Sequence, residues 1–333
     1  MWALSTFRRE TLTVERGEKL VAGAAREAGI PIIASVGALT MDPEAWLPAC
    51  LAVQAAGARL VQLDLFYLPQ PRCSPDNVRK LLDLIGFLAD RLDIPVAPKL
   101  NIDLPAHYAA EILAGAPAAA IFAIDSVRVP VPIDLTTGMT SRFIHAPNAG
   151  DCSLFGEWQK PLSLQYAKIL AERVPQALCI GGGLMTGIDA IEAIALGATT
   201  VQFATAVIRG GFTKIRSIIS EMTHYLDSHG HSGISEVRGL ALERFVVDER
   251  RILFRDVRAA VDHTICTMCG RCTNQTFCSG IKVVMERVEV LNTCDGCGMC
   301  IAACPTKPVK SLSLVPAVRR QEGERNSATE SRE

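Results

Sequence analysis

Before residue 233, short apolar runs alternate with longer stretches in which apolar and polar residues are mixed. The apolar runs are rich in β-branched residues, which favours strands, and the mixed stretches have helical spacing. The pattern predicts strands at residues 30–36, 59–65, 94–100, 118–123, 177–180 and 199–203. It predicts helices at residues 14–28, 42–55, 74–92, 107–113, 161–173, 186–196 and 212–228.

This alternation of strand and helix predicts an α/β fold. Strands separated by helices form parallel βαβ units, and their continuous apolar character indicates burial on both faces. A (β/α)8 barrel and an open doubly wound sheet both fit the pattern. Only six strand–helix units are visible, and residues 1–29 show one helix and no strand. A closed (β/α)8 barrel would therefore lack two strands. Either a partner chain supplies them, or this chain is a truncated relative of such barrels, or the sheet edges are covered in another way.

Two late strand ends favour the barrel. Gly182 and Gly183 follow one predicted strand, and Ala204 and Thr205 follow the next. In barrels, the loops after the last two strands commonly bind a phosphate, and glycine lets backbone N–H groups approach it closely. The alternative is that the glycine pair only permits a tight turn. Because the arrangement recurs one strand later, we favour phosphate binding.

Eight of the twelve cysteines lie in two runs. They are Cys266, Cys269, Cys272 and Cys278 in the first run, and Cys294, Cys297, Cys300 and Cys304 in the second. Three cysteines separated by two residues, with a fourth farther on, are typical of four-iron clusters in which the fourth cysteine ligates the other cluster. The predicted ligand sets are therefore Cys266, Cys269, Cys272 and Cys304 for one cluster, and Cys294, Cys297, Cys300 and Cys278 for the other.

The first run departs from the usual spacing, because five residues precede Cys278 and Ser279, not proline, follows it. Zinc is the alternative metal. A zinc site needs only two cysteine pairs, however, and leaves the third cysteine of each run without a purpose. The spacing therefore predicts two [4Fe-4S] clusters and an electron-transfer function.

Composition narrows the class of protein. The 333 residues carry a net charge of −1, so no basic surface for nucleic acid is expected. No apolar run reaches the roughly 18 residues of a membrane span, and the N-terminus has charges where a secretory signal would be apolar. We therefore expect a cytoplasmic protein without membrane contact. In that reducing compartment, Cys50, Cys73, Cys152 and Cys179 are expected to be unpaired apolar residues, and the six histidines show no ligand spacing.

Four stretches of the sequence carry a resemblance to a known family. They are residues 33–65, 94–101, 181–212 and 222–241. Together they resemble the dihydroorotate dehydrogenase superfamily, and with the cysteine runs the similarity extends over residues 15–310. The cysteine segment is similar to that of the pyrimidine-reducing branch, dihydropyrimidine dehydrogenase and its bacterial iron–sulfur subunit.

The resemblance implies that FMN binds at the mouth of the barrel. It implies Lys99 near the flavin ring, Gly156 in a turn that contacts the flavin, and a phosphate site formed by Gly182, Gly183, Ala204 and Thr205. A lysine there would stabilise the negative charge that develops on a reduced flavin. The alternative for Lys99 is a solvent-exposed residue at a strand end.

The sequence departs from the pyrimidine reductases at the implied active site. Where they have a cysteine as proton donor this chain has Tyr67, and Cys73 in the same loop is a second candidate acid. Asp64 and the pair Asp125–Ser126 replace asparagines of the family, and a carboxylate only accepts hydrogen bonds where an amide also donates. We take these three residues as substrate-binding and expect a substrate other than uracil or thymine.

The predicted architecture is a TIM-barrel-like FMN-linked oxidoreductase fold followed by a two-cluster ferredoxin-like domain. The predicted segments are an N-terminal extension (1–29), a flavin domain (30–232), a connector (233–263), a ferredoxin-like domain (264–312) and a disordered tail (313–333). The expected function is oxidation or reduction of a CH–CH bond in a small cyclic or carbonyl-conjugated substrate, with Lys99 and Tyr67 or Cys73 as catalytic residues.

The expected partner is an NAD(P)H/FAD reductase, a ferredoxin or a second subunit, which could also supply the missing strands. Two other functions fit the sequence. One is a non-catalytic electron-transfer subunit of a larger redox complex. The other is a barrel that binds a different phosphate-bearing ligand beside structural clusters.

Overall fold

The computed structural model describes residues 2–5, 12–65, 74–244, 257–274 and 278–317, with only the backbone given for 2–5. The chain forms two compact units, Met1–Phe245 and Val246–Glu333. The border between them lies inside the predicted connector, residues 233–263, and the finer domain limits remain predictions.

The first unit alternates strands and helices. Its strands are β1 (Trp2–Ser5), β2 (Ile33–Val36), β3 (Leu60–Asp64), β4 (Val96–Leu100), β5 (Ala120–Ala123), β6 (Val127–Pro130), β7 (Ile133–Asp134), β8 (Thr140–Ser141), β9 (Asp151–Gly156), β10 (Ala177–Ile180) and β11 (Thr200–Val201). Its helices are α1 (Val14–Glu27), α2 (Pro43–Ala55), α3 (Pro75–Ala89), α4 (Ala106–Leu113), α5 (Lys160–Ala171), α6 (Gly187–Ala195), α7 (Thr205–Gly210), α8 (Thr213–Ser228) and α9 (Ile234–Val237).

The main sheet contains the six predicted strands in the order β11-β10-β5-β4-β3-β2, and every neighbouring pair is parallel. The sheet curls. The side-chain Nε2 of Gln202, just after β11, donates a 3.3 Å hydrogen bond to Oε1 of Gln62 on β3, four strands away. Nε2 of Gln62 in turn donates to Oγ of Ser35 on β2, 2.9 Å away. The prediction of a curled, parallel, barrel-like α/β sheet is confirmed.

Burial on the two faces of this sheet explains its stability. The outer face packs against the helices in one large core, in which Trp46, Leu63 and Leu84 are fully buried. The inner face has a smaller cluster of small and aromatic residues, with Ala97 on β4 and Phe122 on β5. Burying both faces is what the continuous apolar character of the strands predicted.

A second, antiparallel sheet was not predicted. Its order is β1-β9-β6, and β1 pairs along its whole length with β9. The sequence predicts no strand before residue 30, and this expectation is wrong because Trp2–Ser5 forms β1. Such short antiparallel strands depend on their partner more than on their own apolar pattern, so periodicity does not reveal them.

The second unit is built from short strands and one short helix. They are β12 (Val257–Val261), β13 (Ile281–Val284), β14 (Arg287–Val290), α10 (Met299–Ala303) and β15 (Leu312–Pro316). β12 pairs antiparallel with β15, and β13 pairs antiparallel with β14. Their small core includes Cys272, Cys300 and Cys304. In the ranges that the structure describes, no helix of either unit is long and apolar enough to cross a membrane.

Candidate functional site

The carboxyl ends of four parallel strands open onto one cleft. It holds about 180 Å³ and is lined by Lys99, Ile124, Asp125, Ser126, Ser153, Phe155, Gln159, Gly182, Gly183, Leu184, Gln202, Ala204, Thr205 and Ile208. Seven residues proposed from the sequence are in this lining. They are Lys99, Asp125, Ser126, Gly182, Gly183, Ala204 and Thr205. Parallel strands bring the residues that follow them to the same edge of a sheet, which is why positions so far apart in sequence meet here.

The turn after β10 requires glycine. Gly182 and Gly183 have φ angles of 90° and 82°, a left-handed region that other residues rarely adopt. A Cβ on Gly183 would lie 2.4 Å from the backbone N of Lys160 and 2.8 Å from the carbonyl O of Gly156. Gly156 therefore packs against Gly183 on the side of the turn away from the cleft. It is not one of the residues that line the cleft.

The same turn presents unused donors. Within the described part of the chain, the backbone N–H groups of Gly182 and Gly183 make no hydrogen bond, while the carbonyl of Gly182 accepts one from Ser163 Oγ at 2.6 Å. N–H groups that face a cleft with no internal partner suit an anionic oxygen. The residues present therefore fit the phosphate of a bound nucleotide.

Two ion pairs connect α5 and α6 beside this turn. Lys160 Nζ, at the start of α5, lies 2.8 Å from Asp189 Oδ1 and 2.9 Å from Glu192 Oε2, both on α6. Hydrogen bonds to these two carboxylates raise the pKa of Lys160. Asp189 also accepts hydrogen bonds from the backbone N–H groups of Met185 and Thr186. The glycine turn is thus held in one conformation by groups that do not line the cleft.

Lys99 and Asp125 form the charged part of the cleft. Lys99 Nζ lies 3.4 Å from Asp125 Oδ2, and the Asp125 Oδ1 accepts a 2.6 Å hydrogen bond from the backbone N–H of Ser126. Gln159 Nε2 donates to the carbonyl O of Asp125 at 2.8 Å. The structure thereby brings Lys99 together with two of the three predicted substrate-binding residues.

Three other active-site residues were predicted from the sequence, namely Asp64, Tyr67 and Cys73. Asp64 ends β3 beside Lys99 in register, but it is not among the residues that line the cleft. Tyr67 and Cys73 lie outside the described residues, so their roles remain predictions.

The sequence analysis missed several polar residues of the cleft. Gln159, Gln202 and Ser153 line it, and the buried Gln62 connects to it through Gln202. Gln62 offered a usable signal, because a glutamine inside an apolar strand needs a partner for its amide when it is buried. Ser153 lies on β9, in the antiparallel sheet that the sequence did not reveal.

Six of the eight cysteines of the second unit lie in its core or pack against it. Burial raises the pKa of the Cys272 thiol, and charge on three neighbouring thiols raises it further. Those neighbours are Cys266, Cys269 and Cys304. The assignment of these four cysteines to one cluster stays a prediction.

Cys300 has a similar environment. Burial raises the pKa of its thiol, and neighbouring cysteines add to the effect. Those neighbours are Cys294, Cys272 and Cys297. Cys278 packs against the same core, and the whole second ligand set stays a prediction.

Cys304 differs from the other seven. Burial raises the pKa of its thiol, but hydrogen bonds from Ser311 and Thr306 outweigh that effect and lower the pKa to about 6. The Sγ of Cys304 lies 3.1 Å from Ser311 Oγ and 3.2 Å from Thr306 Oγ1. These hydroxyls favour the thiolate, which is the form that binds a metal.

Among the residues the structure describes, no three His, Cys, Asp or Glu side chains are grouped as ligands of a single metal ion. Ligands of one ion would all lie about 2.0–2.3 Å from the same point. Each cysteine of a four-iron cluster binds a different iron, so its sulfurs lie farther apart. The donor set, which is cysteine alone, fits such clusters.

Three of the remaining cysteines are buried, as expected. Cys50, Cys152 and Cys179 are free thiols in the first unit, while Cys73 lies outside the described residues. Burial raises the pKa of Cys50 to about 12, which keeps it an uncharged apolar residue.

Comparisons with known proteins find a family model and several similar proteins. Residues 75–226 match the family model of dihydroorotate dehydrogenase. The chain is 31% identical over 172 residues to the catalytic subunit of dihydroorotate dehydrogenase B (NAD(+)) from Pyrococcus abyssi, which covers 51% of this chain and 54% of the relative. It is 27% identical over 225 residues to the Thermoplasma acidophilum protein of the same name, covering 66% and 71%.

A third relative matches a larger share of this chain. The NAD-dependent dihydropyrimidine dehydrogenase subunit PreA of Escherichia coli K12 is 26% identical over 276 residues, which cover 79% of this chain and 65% of that subunit. This chain spans about half the length of the Pyrococcus abyssi protein. The resemblance inferred from the sequence motifs is confirmed.

Proposed function

We propose that this chain, whose residues 75–226 match the dihydroorotate dehydrogenase family model, is a flavin- and iron–sulfur-dependent oxidoreductase that acts on a CH–CH bond of a small cyclic or carbonyl-conjugated molecule. The observation that carries this proposal is the convergence of Lys99 with the two pairs Gly182–Gly183 and Ala204–Thr205 on one cleft. These are the residues that the resemblance assigns to FMN.

The proposed FMN site has a polar and a charged end. Gly182, Gly183, Ala204 and Thr205 would receive the phosphate, and Lys99 would lie near the ring. When bound, FMN would supply hydride transfer and the clusters would supply single electrons. Lys99 contributes positive charge at the place where reduction would add negative charge. Gly156 supports the phosphate turn from behind.

The remaining residues of the proposed site handle the substrate. Asp125 and Ser126 line the cleft and would orient it, together with Asp64 at the end of β3. Tyr67 or Cys73 would exchange the proton, since both follow β3 in the chain. A carboxylate at Asp125 supports a substrate that donates hydrogen bonds, which differs from the alternating edge of a pyrimidine.

In the second unit, the proposed cluster ligands are two sets of four cysteines. They are Cys266, Cys269, Cys272 and Cys304 for the first [4Fe-4S] cluster, and Cys294, Cys297, Cys300 and Cys278 for the second. Electrons would enter from an NAD(P)H/FAD reductase subunit or a ferredoxin in the cytoplasm. The names of the relatives support a partner, because one is a catalytic subunit and another is a subunit of an NAD-dependent enzyme.

A partner could also cover the sheet. β2 and β11 are its two edges, and a barrel of this family would continue there. The cleft volume of about 180 Å³ is below the roughly 300–1,000 Å³ of typical ligand pockets. This small volume favours the alternative function, a non-catalytic electron-transfer subunit, if nothing completes the cleft.

One absorbance experiment separates these two functions. The full chain is purified anaerobically, its clusters are bleached, and the spectrum is then searched for the flavin band. Flavin together with about eight irons per chain supports the oxidoreductase. Clusters without flavin, even after incubation with excess FMN, would support the electron-transfer subunit, and about one zinc per site would contradict both.

A further inference from the structure

The cleft contains one pair of opposite charges. Lys99 and Asp125 have side chains that are 17% and 22% exposed, and Nζ and Oδ2 lie 3.4 Å apart. Among the described residues that line the cleft, these two alone carry a formal charge. The positive charge that Lys99 would present to a flavin is therefore opposed by a carboxylate beside it.

The backbone fixes the position of Asp125. Its N–H donates to the carbonyl O of Leu100 at 3.0 Å, and its own carbonyl accepts from Gln159. Its Oδ1 accepts the hydrogen bond from the N–H of Ser126. The N–H, the carbonyl and Oδ1 of Asp125 all form hydrogen bonds. The carboxylate cannot rotate away from Lys99 without losing the bond to Ser126, so the fold holds this ion pair in place.

We propose that Asp125 is a positioning residue that lowers the reduction potential of FMN bound in this cleft by offsetting the charge of Lys99. The inference rests on the proposed function. Two-electron reduction of a flavin adds negative charge, which a nearby cation favours and a nearby anion disfavours. Because both side chains are mostly buried, solvent and salt screen them weakly.

The consequence concerns the direction of the reaction. An uncharged amide at position 125 would remove the carboxylate that lies 3.4 Å from Lys99 and make the bound flavin a better electron acceptor. The carboxylate has the opposite effect and makes the reduced flavin a stronger donor. Such a potential favours transfer of electrons from the reduced flavin to a C=C bond of the substrate.

The test is the midpoint potential of FMN in the full-length chain, measured anaerobically with reference dyes. In Asp125→Asn, which keeps an acceptor for the Ser126 N–H, we expect the two-electron equilibrium to shift at least tenfold toward reduced flavin, about 30 mV. In Lys99→Met we expect a shift of similar size in the opposite direction. In the double variant the two changes should cancel to within about threefold, because both charges are gone.

A matched control is Asp90→Asn, the same change at the exposed C-cap of α3, before β4 and so at the amino end of the sheet. Its potential should equal that of the wild type. An unchanged or lower potential in Asp125→Asn, with FMN bound, would overturn the inference and leave the proposed function intact. A wild type that binds no FMN would overturn both, and a fluorescence titration with FMN before the redox measurement distinguishes these results.

Discussion

The cleft of the first unit and the cysteine core of the second are assembled in different ways. The cleft draws its residues from the ends of four parallel strands and from β9, between positions 99 and 208, whereas the eight cysteines lie between positions 266 and 304. Local turns are enough to group cysteines that are two residues apart. The cleft instead depends on the register of a whole parallel sheet. We therefore expect single ligands to control the cysteine unit and backbone geometry to control the cleft.

The variant Cys300→Ser is the strongest test of the expectation that single ligands control the cysteine unit. Cys300 is buried in the core of the second unit, and metal ligation there contributes to folding. We expect one cluster to be lost, so that iron and sulfide fall by about half, and the second unit to unfold at a lower temperature. Iron and sulfide analysis together with a thermal melt measures both effects.

The matched control is Cys152→Ser, which removes another buried thiol but lies in the first unit. Iron and sulfide should stay at the wild-type amount. Loss of iron in both variants would show that the cysteine unit is sensitive to general destabilisation, and the contrast between the units would fail.

The variant Gly183→Asp tests the expectation that backbone geometry controls the cleft. A side chain at this left-handed position would meet the backbone of Lys160 and Gly156, and its charge would repel a phosphate. We expect flavin to be lost while the iron content is unchanged, since the cysteines belong to the other unit. Flavin released by acid and iron bound per chain are the two measurements.

Gly115→Asp is the control for this prediction. A Cβ on Gly115 would meet nothing within 4 Å, so the same residue should be tolerated there. Retained flavin in Gly183→Asp would place the phosphate elsewhere and contradict the proposed FMN site.

The sequence predicts features set by local spacing or strand pattern better than it predicts the contacts that assemble the cleft. The eight candidate ligands could be picked out from the cysteine spacing alone, and their division into two cluster sets stays a prediction. The six parallel strands were also predictable, because strands buried on both faces leave a continuous apolar pattern. The strand bounds differ by a few residues, since apolar runs extend past the last hydrogen bond of a strand.

What the sequence did not reveal depends on contacts between distant segments. β1 is short and is defined by its pairing with β9, so nothing in its own residues marks it. The hydrogen bond between Gln62 and Gln202 spans 140 positions and exists only because the sheet curls. The pairing of Lys99 with Asp125 likewise follows from the register of adjacent strands. The family resemblance located both residues, but it did not show that they touch.

Replacing the proton donor is expected to slow turnover without removing a cofactor, which is a smaller effect than the losses of cluster or flavin predicted above. If Tyr67 or Cys73 supplies the proton, Tyr67→Phe or Cys73→Ala should slow turnover by about 10²- to 10⁴-fold. Reduction of the flavin through the clusters should be unchanged, because it needs no substrate proton. Rapid-mixing absorbance separates the two steps. If both variants turn over at the wild-type rate, the acid lies elsewhere in the cleft and the assignment of these two residues is wrong.

The smallest expected effect is a shift in the midpoint potential of one cluster in the second unit. It tests whether a single side chain controls a property of the cysteine unit. Ser311 places its hydroxyl 3.1 Å from the Sγ of Cys304, and such hydrogen bonds raise the potential of a cluster. Ser311→Ala should therefore lower one of two midpoint potentials by up to about 59 mV, or tenfold in a one-electron equilibrium. Anaerobic redox titration followed by electron paramagnetic resonance measures it. Ser313→Ala, two residues away on the exposed side of β15, should change neither potential, and equal shifts in both variants would refute a specific hydrogen bond.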